Sequence, residues 1–291
     1  MKKRLGLFEI VNGIILSLLM IVCLYPFLYV IFASFSDPWE LVKHKGLLVA
    51  PLGFSLEGYK AVFSNRSILT GYITSVVNLV AGTSLNLILT LLAAYAVSRK
   101  DFLLKRPIVI LIVFTMFFNS GIIPRFLVVK SMGLYDSRLS MILPTAINVF
   151  NLVIMRTAIE NLPDSLEEAA VLEGANDFDI LFKIVAPLIK STIAVLVLYY
   201  GVAHWNQWYQ ALMYIQTREK YPLQLVLREI LIGNSTESMA AGGVDSSGTS
   251  AVIGEVIKYA TIVVSTVPIL SIYPLLQKHF VKGVMVGAVK G

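Results

Sequence analysis

Residues 167–187 read EEAAVLEGANDFDILFKIVAP. They sit in a short acidic stretch, because seven of the chain's 18 acidic residues fall between Glu160 and Asp179. The surrounding sequence is strongly apolar. Pro163-Asp164-Ser165 opens the stretch, and Ser165 with Glu168, or Asp164 with Glu167, has the spacing of a capping box. Residues 167–172 are mostly good helix formers. Gly174 can take the left-handed conformation that ends a helix and turns the chain. Asn176 or Asp177 can then cap a second helix through FDILFKIVAP, and Pro187 limits how that helix joins the next segment. The stretch therefore predicts a short helix, a tight turn and a second helix continuing into an apolar segment. Ala169 and Ala170 offer a surface for close approach, and Glu168 a charge for a partner's cation. The plainer reading is a solvated amphipathic linker.

The bulk composition says where such a stretch must sit. Of 291 residues, 57% are apolar and only 14% charged, against about 25% charged in soluble domains. The mean hydropathy of +0.77 belongs to a membrane protein. The net charge of +6 does not form a basic stripe with interleaved aromatics, which argues against nucleic acid as a partner. Cys23 is the single cysteine, and His44, His204 and His279 are scattered, so no metal site is expected. The opening MKKRLGLFEI resembles the start of a signal peptide. The apolar run behind it, about 10–35, exceeds a signal-peptide core of about 7–15 residues and reads as a retained membrane helix.

A span needs roughly 20 mostly apolar residues to cross about 30 Å. Six segments qualify, at about 10–35, 71–97, 107–129, 139–159, 188–213 and 256–277. The third is broken by Asn119-Ser120-Gly121 and Pro124, which lipid tolerates only where the backbone is buried or lines a cavity. Lys2, Lys3 and Arg4 precede the first span; Arg99, Lys100, Lys105 and Arg106 fill the link between the second and third; Lys278, Lys282 and Lys290 follow the last. The positive-inside rule puts these groups, both termini and the 160–187 loop in the cytoplasm. The expected fold is thus all-α: a polytopic membrane protein and a single transmembrane domain over 1–291. Two long outside loops remain, 36–70 and 214–255, the second carrying the Gly/Ser-rich tract STESMAAGGVDSSGTS.

The chain shows no fuel site and no catalytic residues. It has no G-x-x-x-x-G-K-[ST], no H-E-x-x-H, no nucleophile elbow and no plausible triad. Ion-coupled carriers place ionisable residues near mid-bilayer, whereas Arg125, Arg156 and Lys190 lie near predicted span ends. Energy is therefore expected from a separate motor. Ser75, Asn78, Gly82 and Asn86 recur at helical spacing in the second span, Asn148 and Asn151 lie in the fourth, and His204 to Tyr209 form a polar and aromatic cluster in the fifth. Amides and aromatic rings suit sugar hydroxyls and sugar faces. The same residues also glue helices together or form interface belts.

The pattern E-A-A-x-x-x-G-x(9)-I-x-x-P, carried by Glu168-Ala169-Ala170, Gly174, Ile184 and Pro187, resembles the signature loop of ABC-importer permeases, with Ala186 where the family usually has Leu. Residues 121–159 and the Trp205-Asn206 pair resemble maltose-type carbohydrate permeases, and YPLQLVLREILIGN (221–234) a subset for larger oligosaccharides. The resemblance covers about 10–291. It implies a type I ABC importer permease fold in a bacterial cytoplasmic (inner) membrane. Glu168, Ala169, Ala170, Gly174, Asp177 and Pro187 would couple the chain to its ATPase. The implied partners are a second homologous permease, two ATPase subunits that hold ATP and Mg, an extracytoplasmic solute-binding protein, an oligosaccharide and the lipid bilayer. The chain itself would bind no cofactor. Candidate pathway residues are Arg125, Asn148, Asn151, Trp205, Asn206 and Trp208. Arg125, beside Pro124, would favour acidic saccharides such as uronic-acid oligomers if it faces the pathway; a span-anchoring arginine is the alternative. The rival functions are an ABC permease for a non-sugar solute and a gradient-driven carrier.

Overall fold

A computed structural model describes residues 6–118, 120–232 and 249–288, with side chains throughout except at 249–251 and 272–288. Lys2, Lys3, Arg4, Asn119, Lys290 and nearly all of the Gly/Ser-rich tract lie outside the described residues. Regular structure among the described residues is helical, without strands. The contacts group the chain into two compact units, 1–69 with 226–268, and 70–225 with 269–291.

In the first unit, α1 (Leu7–Ser34) is apolar on every side and exposed through its first two-thirds. A helix hydrophobic all round belongs in lipid, and 28 residues at about 1.5 Å each outreach the bilayer core. The loop after it is folded. Asp37 caps α2 (Pro38–Lys43) by accepting from the Trp39 and Glu40 amides, at 2.9 and 3.2 Å. The Leu52 amide donates to Ser36 Oγ at 3.0 Å, and the Leu48 amide to Tyr25 Oη at 2.9 Å. Then α3 (Glu57–Ser64) presses Gly58 onto the chain's last helix (Thr249–Ala288), whose Val256 and Ala260 are fully buried.

In the second unit, α4 (Arg66–Ser98, shared with the first at its start) is an unbroken helix. The predicted third span is instead α5 (Lys105–Phe117) and α6 (Ile122–Ser131), bent by 117°. The fourth is α7 (Leu139–Ile142), one 3-10 turn at Leu143–Thr145, and α8 (Val149–Glu160), with a 52° bend. Pro144 lies in that turn, and Asn148 is extended before α8. The acidic stretch forms α9 (Asp164–Leu172) and α10 (Asp177–Leu188).

The expected smooth entry of the second acidic helix into the bilayer is not seen. Helix α10 includes a π-helical segment, Ile180–Val185, and meets α11 (Lys190–Trp205) at 84°. Pro187 brings no amide hydrogen, which favours a break there. The fifth span then breaks again at 206–208 before α12 (Tyr209–Tyr214). The last elements are α13 (Leu223–Ile232) and α14 (Thr249–Ala288). Among the described residues, three helices are long and apolar enough to cross a membrane alone, Leu7–Ser34, Arg66–Ser98 and Val252–Ser271, and the three bent pairs allow up to six crossings.

Gly58 has no room for a side chain. A Cβ would lie 2.8 Å from Val256 Cγ1 and 3.2 Å from the Val256 carbonyl oxygen. Gly58→Ala is expected to cost about 1–3 kcal/mol, as overpacked cores do, and to lower the thermal midpoint of the purified protein in detergent.

Candidate functional site

The acidic stretch is held in place by charge. The Glu167 carboxylate pairs with the Arg99 guanidinium and accepts from Tyr95 Oη at 3.1 Å. Arg99 also donates to that same Tyr95 oxygen at 3.0 Å and faces Asp177 at 3.8 Å. On either side, Lys100 meets Asp164 at 2.5 Å, and Lys105 meets Glu160 at 2.9 Å while donating to the Ser98 carbonyl at 2.8 Å. Arg156 closes the group on Glu160 at 2.9 Å. The basic link at 98–106 and the acidic stretch at 160–179 therefore share one end of the helices.

Two of these groups titrate away from their ordinary values. Burial pushes the Glu160 carboxyl up, but hydrogen bonds from Lys105 and Arg156 outweigh it and hold the group below its ordinary value. The hydrogen bond to Asp164, with its charge, holds Lys100 protonated above its usual range.

The expected capping box does not form. Pro163 is the N-cap, and the Asp164 carboxylate is spent on Lys100. The end of α9 is as expected. Gly174 has φ +82, its amide bonds the Val171 carbonyl at 3.0 Å, and the Ala175 amide bonds the Ala170 carbonyl at 3.0 Å, the double closure of a Schellman motif. Nothing crowds the Gly174 position, so the backbone angle alone asks for glycine. Asn176, not Asp177, caps α10 by accepting from the Asp179 amide at 2.9 Å.

The element has two faces. Ala170, Ile180, Leu181 and Val185 are buried in a core with Leu91, Ala94, Leu152, Met155 and Leu196. Removing each such Ile or Leu from water contributes about 1.5–3 kcal/mol. Opposite them, Glu168, Ala169, Val171, Leu172 and Phe178 stand exposed, Leu172 at 89%.

The pathway candidates scatter. Asn148 and Asn151 line one cleft of about 630 Å³ in the second unit. Asn148 Oδ1 also caps α8, accepting from the Asn151 amide at 3.1 Å. Trp205 is 2% exposed and packs edge-on against Tyr72, away from the cleft lining. Asn206 is the exposed C-cap of α11, Trp208 packs edge-on against Tyr209, and Arg125 is exposed on α6. Of the second-span residues, Ser75 accepts from the Leu223 amide at 2.9 Å, Asn78 donates to Met141 Sδ at 3.7 Å, and Asn86 donates to the Thr145 carbonyl at 3.1 Å. They join helices. A second clamp carries no local sequence signal: Asp136, at φ +55, accepts from the Gln216 and Thr217 amides at 3.0 and 2.9 Å and pairs with Lys220 at 3.1 Å. The Thr217 hydroxyl, then its amide, hold the Asp136 carboxyl far below its ordinary value.

Two outcomes are expected. Arg99→Glu and Glu167→Arg should each destabilise the protein, and the double exchange should recover about 1 kcal/mol as a thermal double-mutant coupling. Glu160, held below its ordinary value, contributes stability above pH about 4.5 that is lost as the pH falls through its lowered pKa. Protection factors of the α8 and α9 amides should fall on that acid side and stay level between pH 6 and pH 8.

Residues 86–286 match the family of "Binding-protein-dependent transport system inner membrane component". Over 292 aligned positions the chain is 44% identical to the polygalacturonan/rhamnogalacturonan transport system permease protein YtcP of Bacillus subtilis (strain 168), covering 100% of both. It is 38% identical to Protein LplC of the same organism, covering 98% of this chain and 95% of that one. A crystal structure of a bacterial ABC transporter involved in the import of the acidic polysaccharide alginate contains a chain of TM-score 0.85 and 31% identity, covering 94% of this chain and 96% of that chain. The chain belongs to the binding-protein-dependent transport system inner membrane components, the permeases of bacterial ABC importers, and is not itself an ATPase.

Proposed function

We propose that this permease carries acidic oligosaccharides, of the kind cut from pectin, across the inner membrane on the work of separate ATPase subunits. The polygalacturonan/rhamnogalacturonan relative and the alginate transporter support the substrate class. The observation that carries the coupling role is the two-faced acidic element: Leu172, Val171, Ala169 and Glu168 are exposed, while the reverse face is packed and braced by Arg99 and Lys105. A solvated linker needs no such packing. An exposed apolar helix end with a rigid mount is what a soluble partner can grip and push.

In this reading the chain crosses six times with both termini cytoplasmic, and the bent helix pairs each make one crossing. The basic link supports that orientation, since it lies at the same end as the acidic element and lysine and arginine favour the cytoplasm. Glu168, Ala169 and the Gly174 turn meet the ATPase, Ala170 seats the helix on the core instead, Asp177 shares Arg99, and Pro187 sets the bend into α11. A second permease, two ATPase subunits holding ATP and Mg, and an extracytoplasmic binding protein complete the importer. ATP binding draws the ATPases together, and the mounted element turns the attached helices between inward-open and outward-open states, a two-state equilibrium biased by the partner's ligand. The 84° bend between α10 and α11 gives the push a lever arm instead of a straight thrust along the helix.

Gly174 is the point to test. Alanine there bears about 1–2 kcal/mol of left-handed strain, and proline cannot reach φ +82 and loses the amide bond to Val171. In the reconstituted importer, substrate-stimulated ATP hydrolysis should fall roughly tenfold in Gly174→Ala and vanish in Gly174→Pro, with less loss in Gly174→Asn. Unchanged stimulation in Gly174→Pro, with the ATPase still co-purifying, would sink the coupling role.

A further inference from the structure

The loop after α1 folds back along the helix it has just left. The Leu48 amide donates to Tyr25 Oη at 2.9 Å, and Tyr25 lies about 14 Å short of the end of α1 at Ser34. The tip of the loop is fixed there. Leu48 is buried in one core with Ala33, Leu41 and Val256, the last of these on α14. His44 Nε2 lies 3.3 Å from the Leu47 carbonyl oxygen. The loop is thus part of the packing of the first unit and not a free tether.

Tyr25 marks a boundary on α1. Every residue at 7–24 is exposed, a bare length of about 27 Å, close to the roughly 30 Å of a bilayer's hydrocarbon core. The loop tip therefore stands at the level where the bare, apolar length of α1 ends. On either side of buried Leu48, Leu47 and Val49 are 73% and 76% exposed. Helix α2 repeats the pattern: Pro38 and Leu41 are buried, whereas Trp39 and Val42 are turned outward, with Lys43 and Lys45 exposed beside them. Apolar side chains next to tryptophan and lysine suit a membrane–water interface, where the indole sits among headgroups and lysine keeps its charge in water. The backbone sets a limit on depth. Residues 44–50 are not helical, so their amides would go unmet in hydrocarbon, and the tip is stopped at the interface.

We infer that the loop at 38–54 is an interfacial membrane anchor, with Leu47 and Val49 entering the boundary between headgroups and acyl chains beside Tyr25, and Trp39, Lys43 and Lys45 at the headgroups. The lipid-facing surface of α1 runs directly into this patch, which is the reason for assigning it to lipid. A protein docking from water would meet what stands beyond the end of α1, whereas the tip is turned back toward the bare part of the helix. The inference needs only a bilayer around α1 and holds whichever side the loop is on, so it stands apart from the coupling role and the substrate class. Such an anchor fixes the depth of α1. It also fixes that of α14, through Val256 in the shared core and through Tyr259, whose ring lies 5.8 Å from that of Tyr29.

The test reads depth in the assembled importer in nanodiscs, with a bimane label on one cysteine and the partner subunits cysteine-free. Cys23, the single native cysteine, is exposed on α1 just short of Tyr25 and serves as the reference. Leu47→Cys and Val49→Cys, each with Cys23→Ser, report the tip; both side chains are exposed, so labelling leaves the core intact. The nanodiscs contain lipid brominated either high on the acyl chain, beside the headgroup, or near the chain end. All three labels should be quenched. At the two tip positions the high bromines should quench at least about twofold more strongly than the deep ones, as for groups about 5–10 Å into the interface. No quenching at the tip puts the loop in water and overturns the anchor, and so does a bare α1 that no lipid quenches at Cys23. Equal or stronger quenching by deep bromines overturns the interfacial depth. Adding loaded binding protein should leave the tip signal unchanged, and loss of half of it or more assigns the patch to that protein instead. With the label at Val49→Cys, Leu47→Asp should halve the quenching and Leu47→Ile should keep it; equal quenching in both overturns the part given to Leu47.

Discussion

The pairing of Arg99 with Glu167, shared with the Tyr95 hydroxyl, is the contact on which the architecture around the acidic element turns. Helix α9 has nine residues, and isolated helices below about 12–15 residues are marginal in water. Its stability must come from what it touches. One face buries Ala170 against the Ile180–Leu181 core, and the other side of the mount is ionic, through Arg99 and Lys100, while Lys105 holds Glu160 at the end of α8 just before it. Taken singly, half-exposed ion pairs contribute little. Here several converge on one short element, and the exposed remainder, Val171 and Leu172, is spared from providing the packing. The fold can therefore keep a greasy helix end facing outward without its collapsing onto the protein.

The second constraint is that lipid supplies no hydrogen bonds. Helix α4 meets it by presenting polar side chains along one face, at Ser75, Asn78, Asn86 and Thr90. Three reach a neighbour at or beside a break in the helical ladder, the Leu223 amide, Met141 and the Thr145 carbonyl, and Thr90 meets Tyr200 Oη inside α11 at 2.7 Å. Tyr200 in turn takes the Asn148 amide at 3.2 Å. The kink between α7 and α8 is thus compensated from α4 and α11.

Much of this is legible in the residues. Gly174 announces its turn because so few residues accept a left-handed backbone, and a cap is announced at Asn176 or Asp177 because both are short side-chain acceptors, the structure choosing Asn176. The apolar runs announce their helices, since about 20 residues without charge have nowhere else to go. The brace is not legible, although both halves are in view: the basic link reads as a topology marker and the acidic run as a partner's target. Pairing across 64 to 72 residues depends on which helices lie side by side, which no local pattern states. The breaks at 143–148 and 206–208 are hidden for a similar reason, because Pro144 alone does not tell a kink from a turn. Trp205 misleads through composition: an aromatic in a polar cluster suits a sugar, but this one faces Tyr72 in the core.

The two clamps give α4 its part in the machine. Arg99 and Tyr95 fix its far end to α9, and near its start Arg138 reaches Thr74 at 3.5 Å, two residues from the Asp136 clamp on Thr217 and Lys220. Both contacts lie on one unbroken helix of 33 residues, and from Thr74 to Tyr95 it runs about 30 Å at the usual rise. The helices attached directly to the acidic element, α8 and, through α10, α11, each meet a neighbouring helix at a kink. Helix α4 is the straight member. A displacement of α9 reaches the opposite end of the unit through α4 with little lost to bending, whereas α8 and α11, hinged at the cleft, absorb it as a change in angle. In the coupling proposed above, a rigid rod on one side and hinged helices on the other convert a push at α9 into a change of angle at the cleft.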